Sequence, residues 1–183
     1  MKGMNKMIDF KTKKLQYYII IQTTHDFTCP PDVVCGLKVK VNDNYELDWE
    51  PVVEMNQEEL CFTDYEFAKK ILEKTKKSNP FTQFEIRTYN YNIFTNKDNL
   101  DKFYIVINGG NWYVSDLDIV INNEGEIDFK PKTNLYCGND CVLAYESKNF
   151  ANKVLEKLND KSYKVEEVKL KLFKGNKKDL IND

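Results

Sequence analysis

A fourteen-residue pattern occurs twice in this chain, and a repeated helix-forming pattern constrains the fold toward two like units. CFTDYEFAKKILEK at Cys61–Lys74 returns as AYESKNFANKVLEK at Ala144–Lys157, with six of the fourteen positions identical. Phe67, Ala68, Ile71 and Leu72 fall on one helical face, and Phe150, Ala151, Val154, Leu155 and Leu158 repeat that face. Each helix buries a single stripe, so each needs a sheet of its own to cover.

The segments before the helices supply those sheets. Leu117–Pro131 aligns without a gap on Leu37–Pro51, with five of fifteen positions identical and five conservative, including Phe129 for Trp49. Tyr17–Gln22, Val33–Val41 and Tyr45–Glu50 read as strands, and Pro51 is expected to end the third. Thr63 and Glu66 form a T-x-x-E capping box, and Phe62 and Phe67 stand at staple spacing. Asn79 and Pro80 stop that helix, and Phe81–Tyr91 returns as a strand. The second half repeats the order with Tyr104–Ile107, a turn at Gly109–Asn111, a helix at Ser147–Leu158 and a strand at Tyr163–Phe173. The expected fold class is α+β: a tandem duplication of a β-β-β-α-β unit, each antiparallel sheet covered by one helix. The repeats span residues 15–91 and 102–174, with a loose arm at 1–14, a connector at 92–101 and a polar tail at 175–183.

Composition excludes several classes. Net charge is −2, and the chain carries 26 Lys and a single Arg, Arg87. No general pull toward nucleic acid or anionic lipid is expected. Lys161, Lys164, Lys169, Lys171, Lys174, Lys177 and Lys178 gather near the end, with Lys169 and Lys171 expected on one strand face. Aromatics are not interleaved there at base-stacking spacing, so direct nucleic-acid binding is not expected. No apolar run approaches the ~20 residues of a membrane span. The five Cys are scattered through a chain large enough to fold without staples, which favours reduced thiols in a cytoplasm.

No catalytic motif stands out. The lone histidine, His25, reads as a polar loop residue, although Cys29 lies on the same loop. Cys137 and Cys141 have C-x3-C spacing, but a structural zinc site needs two further ligands, from Cys61 and one of His25, Cys29 or Cys35. Free thiols are the plainer reading, so no metal and no cofactor is expected. Gly109–Asn111 is followed by β-forming Trp112, Tyr113 and Val114 and not by a helix, which makes it a hairpin turn and not a phosphate cradle.

The acidic run is the feature the repeat does not explain. Asp43, Glu46, Asp48, Glu50, Glu54, Glu58, Glu59, Asp64 and Glu66 occur with no Lys or Arg between Val41 and Ala68, whereas the matching part of the second half has Lys130 and Lys132. On a strand, Glu46, Asp48 and Glu50 share a face, and a one-sign face speeds encounter with a basic protein partner. Glu46, Asp48, Glu50, Glu54, Glu58 and Glu59 are therefore the candidate partner-binding residues. Trp49, Trp112 and Tyr113 are candidate walls of a ligand cleft between the repeats.

The opening strands YYIII and FYIVI and the closing helix EFAKKILEK resemble, as a style of sequence, small accessory proteins of phages and prophages from low-GC Gram-positive bacteria. The resemblance covers both halves and carries over no functional residue. It implies a protein that binds a host or defence protein, for example as a CRISPR inhibitor. The expected function is a non-enzymatic protein-binding module, a phage-encoded inhibitor acting through the acidic face. The alternative is a small-ligand or nucleotide-sequestering protein using the cleft.

Overall fold

A computed structural model describes residues 12–23, 29–41 and 44–175. His25, Asp43, Lys177 and Lys178, the arm up to residue 11 and the tail from 176 lie outside the described residues. The fold is mixed α+β, mostly strands with two helices. The elements are β1 (Thr12–Gln22), β2 (Asp32–Val41), β3 (Leu47–Met55), β4 (Leu60–Cys61), α1 (Tyr65–Ser78), β5 (Phe84–Phe94), β6 (Lys102–Asn108), β7 (Trp112–Ile121), β8 (Ile127–Leu135), β9 (Leu143–Tyr145), α2 (Lys148–Leu158), β10 (Tyr163–Lys169) and β11 (Lys171–Leu172). Two compact units form. One holds Gln16–Tyr89 with Lys169–Asp183, and the other holds Met1–Leu15 with Asn90–Val168.

In the first of these units the strand order is β3-β2-β1-β5. Phe62, just after β4, bridges to Tyr18 of β1 by paired amide bonds, each 2.8 Å, and β11 lies parallel on β4. α1 buries Ala68, Ile71, Leu72 and Thr75. With Ile20, Val34, Leu37, Leu60, Phe62 and Phe84 these apolar residues make the core. Asp64, and not Thr63, caps the helix: its carboxylate accepts from Phe67 N at 3.0 Å. Asp64, one position later, reaches the free amide, and Phe62 still meets Phe67 with ring centroids 5.9 Å apart.

The other unit holds the end of β5, then β9, β6, β7 and β8, with β10 paired to β6. α2 buries Ala151 and Val154, with Ser147 as N-cap, against Tyr104, Val106, Val114, Phe129, Leu143 and Tyr145. Asn108 shapes the β6–β7 turn, its side-chain oxygen accepting from Gly110 N at 2.9 Å and Trp112 N at 3.1 Å.

The two long hairpins have the same register. Leu37 pairs with Pro51 and Val39 with Trp49, while Leu117 pairs with Pro131 and Ile119 with Phe129. Each carries a bulge, between Val34 and Gly36 and between Val114 and Asp116. At the bulges Cys35 Sγ donates to Val52 O at 3.5 Å and Ser115 Oγ to Lys132 O at 3.4 Å. Asp48 pairs with Lys74, and Asp128 pairs with Lys157. Phe67 stacks on Phe173 at 5.0 Å, and Phe150 stacks on Phe94 at 5.3 Å.

Several boundaries differ from the sequence expectation. Pro51 does not end β3, which runs to Met55. β3 has a neighbour on one side only, and proline is tolerated on such an edge. β1 begins at Thr12, inside the expected arm, and β5 reaches Phe94, inside the expected connector. The expected closing strand splits at Leu170, so that Lys169 ends β10 and Lys171 starts β11. The two lysines therefore do not share one strand face, and Lys171 Nζ instead donates to Cys35 O at 2.7 Å.

Candidate functional site

The six carboxylates assigned to partner binding are spread along one side of the first unit. Glu46 precedes β3, Asp48, Glu50 and Glu54 lie on it, and Glu58 and Glu59 belong to the turn into β4. From Glu46 to Glu54 an extended strand covers about 27 Å. Asp48 and Glu50 are neutralised by ion pairs. Asp48 receives Lys74 of α1, and Glu50 receives Lys40 of β2. The hydrogen bond from Lys74, helped by the amide of Trp49 at 3.0 Å, holds the Asp48 carboxyl below its ordinary pKa. The one-sign face inferred from the sequence is thus interrupted. The sequence window lacks cations, but Lys40 and Lys74 stand just outside it and their long side chains fold over its edge.

The same hairpin exposes apolar side chains at its outer end. Val41 is 62%, Leu47 68% and Tyr45 91% exposed. Tyr45 also holds a left-handed backbone, φ 62°. Among the described residues four non-glycine positions have positive φ, and the other three, Asn56, Asn111 and Asn159, are asparagine. Asparagine tolerates that region, whereas a bulky aromatic pays steric strain there. The corresponding turn position in the β7–β8 hairpin is Gly125, φ 79°. Tyrosine therefore stands where the backbone favours glycine, and its ring makes almost no use of the fold. Aligning the two halves brings Tyr45 opposite Gly125, which is the sequence signal that this residue is unusual.

The aromatic residues assigned to a ligand cleft have separate settings. Trp49 belongs to the first unit and is half-buried, edge-on to Phe173 at 5.2 Å and to Phe67 at 6.3 Å. Its outer side lines a shallow surface groove of about 370 Å³ with Lys40, Asp48, Glu50, Lys74 and Lys77. Trp112 and Tyr113 belong to the other unit. Trp112 is exposed beside exposed Leu135, its partner across β7–β8. Tyr113 packs against Tyr136 at 5.1 Å, and burial raises its phenol pKa.

Cys137 and Cys141 are joined in a disulfide, which corrects the expectation of reduced thiols and removes both sulfurs as zinc ligands. Nearby, Tyr136 OH donates to Asn139 Oδ1 at 2.8 Å, and Asn139 Nδ2 donates to Tyr91 OH at 3.3 Å. Cys35 and Cys61 are buried free thiols and Cys29 is exposed. Burial pushes the Cys61 thiol up to about 12, which makes it a poor nucleophile. Among the described residues no three His, Cys, Asp or Glu side chains gather as a metal site, and no helix is long and apolar enough to cross a membrane.

No family model, curated protein or solved structure matches this chain.

Proposed function

We propose that this protein is a non-enzymatic binding module whose contact surface is the outer end of the β2–β3 hairpin. The observation that carries the reading is Tyr45, an aromatic ring 91% exposed on a backbone that favours glycine. A residue that strains the local structure without packing gain is best explained by something outside the fold. Val41 and Leu47 extend the apolar end, and tyrosine is a frequent anchor at protein interfaces. Glu46 adjoins it in sequence, whereas Glu54 and Glu58 lie at or beyond the far end of β3, so the fitting partner is a protein with an apolar pocket. Asp48 and Glu50 leave the contact set, because their charge is already matched by Lys74 and Lys40. A host or defence protein is the partner class implied by the phage-accessory resemblance.

The hairpin is taken here as one of two diverged copies of a duplicated β-β-β-α-β unit. Support comes from the shared register, the paired bulges and the repeated Asp–Lys and Phe–Phe contacts. On this reading the first copy gained Tyr45 for docking, while the second kept Gly125.

The test is affinity capture from host lysate, with the bound protein named by mass spectrometry. Tyr45→Gly with Leu47→Ser is expected to abolish capture, while Asp48→Asn with Glu50→Gln leaves it intact. The opposite pattern sinks the assignment to the hairpin end. The groove beside Trp49 supports a second reading, small-ligand binding, in which a ligand displaces the Lys40–Glu50 or Lys74–Asp48 pair. A thermal shift with nucleotides that disappears in Lys77→Ala would favour it.

A further inference from the structure

Among the described residues one disulfide forms, and it closes a very small ring. Cys137 and Cys141 stand four positions apart, around Gly138 and a short 3-10 turn at Asn139–Cys141. A bond across so few residues removes little entropy from the unfolded chain, so it contributes less than a staple across a long loop. The core beside it has its own support. Val142, Leu143, Ala144 and Tyr145 are buried, and β9 pairs with both β5 and β6. Cys137 is exposed and Cys141 half-buried, so a dissolved thiol can reach the bond. Exposed disulfides are the readily reduced, regulatory ones. What this bond holds is the turn. Asn139 Nδ2 donates to Tyr91 OH at 3.3 Å, and Asn92 Nδ2 donates to Asp140 O. The backbone bonds of the turn itself are long, Cys141 N to Gly138 O at 3.1 Å and Val142 N to Asn139 O at 3.4 Å. Gly138 has φ 147°, and a Cβ there would meet Asp140 Oδ1 at 2.9 Å, so the closed turn depends on glycine.

We infer that Cys137–Cys141 is a reversible redox latch, opened by a dithiol reductant, whose opening releases the 138–141 turn from Tyr91 and Asn92 of β5. The thiolate of the reductant attacks Cys137 Sγ, and the electron pair of the S–S bond leaves on Cys141 Sγ, which takes a proton. The second thiolate of the reductant then attacks the mixed disulfide, and Cys137 leaves and takes a proton in turn. The protein gains two electrons and two protons, and the reductant departs as its own disulfide. The opened turn rests on two side-chain amide bonds near the surface, where water competes for both partners. Its release uncovers Tyr91, which is buried against Phe103 with ring centroids 4.7 Å apart. This inference is independent of the hairpin reading, because it uses neither Tyr45 nor any other residue of the β2–β3 hairpin.

The test uses the full chain, oxidised with glutathione disulfide and then treated with dithiothreitol in the absence of denaturant. Thiols are trapped with iodoacetamide and located by mass spectrometry, and hydrogen exchange is followed in both forms. Dithiothreitol is expected to expose Cys137 and Cys141 to labelling while buried Cys35 and Cys61 stay unlabelled. Exchange at amides 91–92 and 138–142 should quicken at least about tenfold, with β2 and β3 unchanged, and reoxidation should restore it. Cys137→Ser with Cys141→Ser is expected to fold and to exchange like the reduced chain. A bond that yields only in denaturant, labelling of Cys35 or Cys61, or a double variant that does not fold would make the disulfide a staple and overturn the proposal. So would a bond that never forms, or reduction that leaves exchange unchanged. Gly138→Ala keeps both sulfurs and strains the closed turn, so it is expected to move the thiol–disulfide equilibrium about tenfold toward the dithiol. An unmoved equilibrium would uncouple the bond from the turn and reject the latch.

Discussion

Tyr145 and Phe62 are aligned in the two halves of the sequence, and the hydroxyl is the difference. Both rings are buried, but Tyr145 OH is the buried side-chain oxygen without a hydrogen-bond partner among the described residues. Burial drives its phenol pKa upward. An unpaired buried hydroxyl costs its desolvation and returns nothing, so Tyr145→Phe is expected to raise stability by about 1 kcal/mol in urea unfolding. A loss of that size would mean that the hydroxyl has a partner. Tyr45 is the complementary case. Tyr45→Gly relieves the left-handed strain, by roughly 1 kcal/mol before the added chain entropy of glycine is subtracted. Its unfolding midpoint should therefore match or exceed that of the parent, although the residue is unlike glycine in every surface property. Neither residue was legible from local pattern: an orphaned hydroxyl and a positive φ are facts of three-dimensional setting. Tyr45 was within reach only through its alignment with Gly125.

The elements themselves were more legible. Helix faces, the hairpin turn at Gly109 and the aligned strands follow from apolar spacing, and α1 and α2 bury the faces expected of them. What the sequence hid are contacts made by distant pieces. β11 is two residues long and exists because β4 accepts it, so no periodicity announces it. Phe67 and Phe150 each gain a stacked ring in this way, Phe173 and Phe94. Truncating either to alanine is expected to cost about 3 kcal/mol, the two values agreeing more closely with each other than with any surface substitution. Charge pairing was hidden for the same reason. Glu146 accepts from Lys97 at 2.6 Å and from Thr95 at 2.6 Å, and these bonds, that of Lys97 first, lower its pKa. Asp48 and Asp128 are lowered chiefly by Lys74 and Lys157. A depressed carboxylate stabilises fully above its unfolded value, near pH 4, and loses that contribution as pH falls through the lower folded value. Urea midpoints should thus drop on the acid side of about pH 4. The drop should be shallower in Glu146→Gln, and equal acid limbs would remove this pair from the account.

At the scale of the molecule, the sequence announces a repeat but misjudges where each half ends. Residues 90–91 end the first expected repeat and 169–174 close the second, yet the compact units place 90–91 with Asn90–Val168 and 169–174 with Gln16–Tyr89. Local pattern cannot report such a hand-over, because an extended segment has the same alternation whichever sheet it joins. The acidic face was overread on similar grounds: counting charges along the chain omits cations that arrive from its flanks. In the proposed reading, the surface left for docking is the apolar hairpin end. The most direct test is the dissociation constant of the captured partner, measured by calorimetry for the parent chain and for Tyr45→Gly. At undiminished stability, affinity is expected to fall by about a hundredfold, the cost of removing one aromatic anchor. Unchanged affinity in a folded Tyr45→Gly chain would show that the hairpin end is not where this protein binds.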